Sequence, residues 1–104
     1  MFVLALLLAL TSPSLSVSPR FSPEPATIVY NVSNIAGPVV CVELVGKQYY
    51  TASCRETTNK KERFELKHVP ADTYITRAIV CASDSMKECK NSPTLEVIIT
   101  GVGE

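Results

Sequence analysis

A chain of 104 residues has room for one domain. Ten Lys plus Arg balance ten Asp plus Glu. The basic residues are dispersed from Arg20 and Lys47 to Lys87 and Lys90. Their one cluster, Lys60-Lys61-Glu62-Arg63, is interrupted by an acid and reads as a solvated turn. That excludes the row of cations on which nucleic-acid affinity rests.

Residues Phe2 to Leu10 (FVLALLLAL) form an unbroken apolar run. It matches a signal-peptide h-region and falls well short of the ~20 residues that a membrane-spanning helix needs. Thr11-Ser12-Pro13 ends the run, and Ser14-Leu15-Ser16 satisfies the small-x-small rule, so cleavage is expected after Ser16. The basic n-region usual in such leaders is missing, because Met1 alone precedes the run. The expected destination is extracellular, with residues 1–16 removed. Residues 17–25 (VSPRFSPEP) carry three prolines and suit an extended lead-in or a sheet edge.

From residue 26 the apolar residues recur with period two. Ile28, Tyr30 and Val32 form one such set, followed by Val40, Val42 and Leu44. Tyr50, Ala52 and Cys54 alternate with Tyr49, Thr51 and Ser53. Phe64 and Leu66 come next, then Tyr74, Ala78, Val80 and Ala82, and finally Leu95, Val97 and Ile99. Successive strand side chains point to opposite faces, so this is the pattern of half-buried strands. Val, Ile, Thr, Tyr and Phe enrich the segments, and turn residues such as Gly46-Lys47 and Asn91-Ser92-Pro93 separate them. The expectation is an all-β fold, a small antiparallel β-sandwich of six strands with a possible seventh at the edge near Phe21, occupying residues 26–104.

The segment Phe64 to Thr100 (FELKHVPADTYITRAIVCAS, a loop, then SPTLEVIIT) resembles the second half of a fibronectin type III or related immunoglobulin-like domain. The resemblance makes Leu66 and Val69 an apolar pair, Pro70 a corner and Tyr74 its tyrosine. It also turns Ala78, Val80 and Ala82 toward the core and makes Ser92-Pro93 the lead-in to the last strand. FELKHVPADTY is equally similar to the corner of transthyretin-like sandwiches, with Asp72 where glycine is usual.

An exported domain this small needs added staples, and Cys41, Cys54, Cys81 and Cys89 can supply them. A two-residue turn at Gly46-Lys47 would place Cys41 opposite Ala52, with Cys54 a diagonal step along on the same face. Cys89 closes the loop CASDSMKEC that begins at Cys81. Cys41–Cys54 and Cys81–Cys89 are therefore the expected disulfides. The rival is Cys41–Cys81 with Cys54–Cys89, although Cys41 and Cys81 both alternate with inward residues. No C-x-x-C knuckle suggests zinc, and no metal or cofactor is expected.

His68 is the single histidine, with no orienting partner nearby in sequence, and no phosphate-binding or catalytic motif occurs. An enzyme is not expected. Asn31-Val32-Ser33 is an N-glycosylation sequon on an outward strand position. Two surfaces suit a protein partner. One is the charged loop 84–91, with Asp84, Met86, Lys87, Glu88 and Lys90. The other is an outward apolar stripe of Tyr49, Ile75 and Ile79. The expected function is a secreted module that binds an extracellular protein or receptor. The alternatives are a small inhibitor or toxin-like effector acting through the 84–91 loop, and a detached relative of a longer receptor ectodomain.

Overall fold

The computed structural model describes residues 12–82 and 88–101. Among these residues every regular element is a strand, and the strands form two sheets. The smaller sheet has the order β1-β3-β6, from β1 (Ser14–Ser18), β3 (Ala26–Ser33) and β6 (Glu62–Val69). The larger runs β2-β9-β7-β4-β5, from β2 (Phe21–Pro23), β9 (Leu95–Thr100), β7 (Asp72–Cys81), β4 (Val39–Val45) and β5 (Tyr50–Glu56). The short β8 (Cys89–Asn91) also pairs with β7.

Period-two alternation sets the core. Ile28, Tyr30 and Val32 of β3 and Phe64 of β6 meet Val40, Val42 and Leu44 of β4, Tyr74, Ala78 and Val80 of β7, and Val97 and Ile99 of β9. Burying side chains of this size contributes about 1.5–3 kcal/mol each before chain entropy is subtracted. One polar contact crosses the core: Thr76 Oγ1 lies 3.1 Å from the hydroxyl of Tyr30. Burial pushes the Tyr30 phenol up to about 12, so it stays neutral.

The strand count and orientation differ from expectation. Among the described residues nine strands form, and β2 runs parallel to β9, with Phe21 beside Ile98. The prolines explain the lead-in. The chain leaves β1 in one sheet through Pro19-Arg20 and joins the other as β2. Arg20 accepts the Ile98 amide at 2.9 Å and donates its Nε to the Glu96 carbonyl at 3.0 Å. After Pro25 the chain returns to the first sheet as β3. The expected cleavage point after Ser16 lies inside β1, whose Val17 is buried in the core. Ala82, expected inward, is exposed just past the end of β7.

The β4–β5 turn sits one residue later than expected. Gly46 donates to the Tyr49 carbonyl at 2.8 Å, leaving Lys47-Gln48 as the loop and placing Val45 opposite Tyr50. A contact distant in sequence fixes this turn, since Asp72 Oδ2 accepts the Gln48 amide at 2.9 Å. That hydrogen bond leads the causes holding the Asp72 carboxyl below its ordinary range. Tyr74 forms the expected corner, donating to the Pro70 carbonyl at 2.7 Å.

Candidate protein-interaction face

The outward residues of the larger sheet follow directly from the register. Val45 of β4 lies between Tyr50 of β5 and Ile75 of β7. Ile75 faces Glu96 of β9, and Ile98, two residues further along that strand, stands beside Phe21 of β2. The fractional exposures are 68% for Phe21, 61% for Tyr50, 47% for Ile75 and 41% for Val45. These are the large exposed hydrophobic residues of the described chain, and all four lie on this one face.

One row further along, at the centre of the face, stands a charged pair, Arg77 Nε to Glu43 Oε2 at 2.6 Å. Beyond it lie the disulfides. Cys41 faces Cys54 directly, and Cys81 faces Cys89. Both expected pairings are therefore formed. With Val39 and Ile79 these cysteines make a second small apolar cluster on the outer side of the sheet. The face is thus apolar at both ends, with a neutralised ion pair between.

The opposite surface of the sandwich has a different character. Ser14, Ser16 and Ser18 of β1, Thr27 and Asn31 of β3, and Arg63, Glu65 and Lys67 of β6 point outward there. Arg63 and Lys67 both pair with Glu65, at 3.2 and 3.8 Å. Asn31 of the sequon is exposed between Ser16 and Arg63, on this polar side.

The open edge between the sheets is closed by a polar latch. The Arg55 guanidinium lies 4.3 Å from the centre of the Phe64 ring and 2.7 Å from Glu62 Oε1. Glu62 also accepts from the Thr57 hydroxyl and, at 3.0 Å, from Asn59 Nδ2. Thr57, then Arg55 and Asn59, bring the Glu62 carboxyl down to about 2.

Of the expected binding loop, Asp84, Met86 and Lys87 lie outside the described residues. Glu88 is exposed with a positive φ of 54°, and Lys90 is exposed on β8 opposite Val80. Both border an open cleft of about 520 Å³ whose walls include Asn34, Gly37 and Val80. His68 is exposed at the β6–β7 corner, with a φ of 60°.

The expected outward stripe is corrected in one of its three members. Ile75 is exposed, as expected. Tyr49 turns inward and meets Tyr74 edge-on, with ring centres 6.2 Å apart. Ile79 is also on the outer side, half-buried against the disulfide cluster. Tyr50, Val45 and Phe21 belong in the stripe instead. Moving the turn by one residue shifts the pairing by two and leaves the faces unchanged: under either turn Tyr50 shares the outer face of Cys41 and Cys54, and Tyr49 lies on the inner one. No family model matches this chain, and neither does any curated protein sequence.

Proposed function

We propose that this chain is a secreted, non-enzymatic recognition module of the fibronectin type III kind that binds an extracellular protein through the outer face of its larger sheet. The observation that carries the reading is the gathering of Phe21, Val45, Tyr50 and Ile75 on one face while the other outer face is polar. Protein interfaces are built around buried aromatic and aliphatic anchors with a polar rim. Here Tyr50 and Phe21 supply the anchors, and Arg20, Lys47 and Glu96 stand at the margin.

The apolar leader and the fully paired cysteines support export to an oxidising compartment. The Tyr74 corner and the Ser92-Pro93 approach to β9 are features that the fibronectin-type resemblance implies, and the two-sheet all-β architecture is compatible with it. A glycan on Asn31 would coat the polar side and leave the apolar face clear.

Capture of extracellular partners by the oxidised protein, compared across variants, tests the proposal. Tyr50→Ser and Ile75→Glu should each weaken capture by about 30-fold, the effect of losing a ~2 kcal/mol anchor. Asn31→Gln should leave capture unchanged while removing a glycosidase-sensitive mass shift. Loss of capture on reversing Glu88 and Lys90, with Tyr50→Ser retained, would move recognition to the 84–91 loop and sink the sheet-face reading.

A further inference from the structure

We infer that the free edge of β5 is a self-association site, pairing antiparallel with the β5 of a second copy of this chain. This goes beyond the proposed partner face, because it uses backbone groups at the rim of the sheet instead of side chains on its surface.

The ladder between β4 and β5 shows which groups are available. Gly46 bonds to Tyr49 at one end, and Thr57 donates to Pro38 at the other. Cys41 and Cys54, with Cα atoms 4.0 Å apart, have the close spacing of a pair without ladder hydrogen bonds. Alternation between these marks turns the amides and carbonyls of Thr51, Ser53 and Arg55 toward β4. Those of Tyr50, Ala52, Cys54 and Glu56 point away from the sheet, and all four residues are exposed.

The edges at β1, β2 and β6 carry devices that block pairing, and β8 offers only three residues. β1 and β2 are short, with Pro13, Pro19 and Pro25 flanking them and Pro23 inside β2. β6 presents Arg63, Glu65 and Lys67, has His68 with its positive φ beside its last residue, Val69, and is followed by Pro70. β5 has seven residues in unbroken register, without proline, glycine or bulge, and its charges are confined to its last two positions.

Its sequence is compatible with itself. A two-fold axis at Ser53 sets Ala52 against Cys54 of the second copy and Tyr50 against Glu56, so the outward-pointing backbone groups meet each other. Like charges never oppose, since the two Glu56 side chains stand about 20 Å apart at the strand rise per residue. Arg55 is already turned inward onto Glu62 and Phe64. The equal numbers of acidic and basic residues add no long-range repulsion between copies. The paired edges would join the two apolar faces into one surface. A single strand edge buries far less than the ~800 Å² per partner of a stable complex, so the dimer is weak and concentration-dependent.

Sedimentation equilibrium on the full, oxidised chain tests this. Weight-average mass should rise toward twice the monomer value with concentration. Ala52→Pro removes an amide that points to the free edge and spares the β4 ladder, and should weaken association at least ~10-fold with an unchanged circular dichroism spectrum. Should that variant misfold, Ala52→Lys serves in its place. It brings two ammonium groups to diagonal positions roughly 7–8 Å apart across the axis and should also give monomer. A monomer throughout the accessible range, or undiminished association in the folded Ala52 variant, overturns the inference. Association abolished by Ile75→Glu and untouched by Ala52→Pro overturns it too, because it assigns the contact to the sheet face. Failure at the edge leaves partner capture by Tyr50 and Ile75 unaffected, so the two readings fail separately.

Discussion

Gly46 lies so close to the β7 corner that an added methyl group has no space. A Cβ built on it would come within 2.7 and 2.8 Å of two Tyr74 ring carbons and closer still to Asp72 Oδ2. Its φ lies outside the left-handed region, so the position needs room and not glycine's conformational freedom. Gly46→Ala therefore acts by overpacking. The Asp72 carboxylate can swing aside, but only by giving up the Gln48 amide. The Tyr74 ring is fully buried and tied to Pro70, so it cannot. Overpacking costs about 1–3 kcal/mol, and loss of the Asp72 hydrogen bond adds ~1 kcal/mol. Restricting the unfolded chain returns about 0.4–1 kcal/mol. The net is a destabilisation of about 1–3 kcal/mol by urea denaturation, or a fall in Tm of at least ~4 °C for a domain this size. In an Asp72→Ala background the alanine cost should shrink but persist, because the ring contact remains. A Gly46→Ala protein as stable as the parent would refute the spacing argument.

Two further outcomes follow from the corner and the latch. Tyr74→Phe leaves the Pro70 carbonyl without its donor and should cost about 1–3 kcal/mol in chemical denaturation, with core packing preserved. The Glu62 carboxyl is held near 2 in the folded state against an ordinary value of 4.5. Its stabilisation is therefore complete above pH 4.5 and is lost as pH falls through that window toward 2. Glu62→Gln should flatten the stability profile across that range, and an unchanged acid slope would remove Glu62 from the latch.

The sequence carried the inward sets of β3, β4, β6, β7 and β9, because long stretches of Ile28-Tyr30-Val32 type admit one parity only. It also carried the disulfides, since Cys41 and Cys54 stay on one face under either turn. The same parity sets Tyr50 outward with Cys54, so the choice of Tyr49 for the outer stripe missed a signal that was present. The exact turn was not legible, because the contacts that fix it come from Asp72 and Tyr74, more than twenty residues away. β1 was hidden for a different reason. Ser14-Leu15-Ser16 fits the small-x-small rule of a processing signal, and the strand that it also forms depends on pairing with β3, which the local sequence does not encode. Phe21 was seen as a possible edge strand. Its place on the apolar face depends on the parallel register with Ile98, which local periodicity does not encode.

Both disulfides join neighbouring strands within the larger sheet, β4 to β5 and β7 to β8. Apart from the main chain, nothing covalent spans from one sheet to the other; what bridges them is side-chain contact, the Thr76–Tyr30 hydroxyls and the Arg55 latch. Under a pulling force the sandwich would therefore open as two laminae, one riveted and one not. A reducing agent would soften the riveted half without removing any tie between the halves.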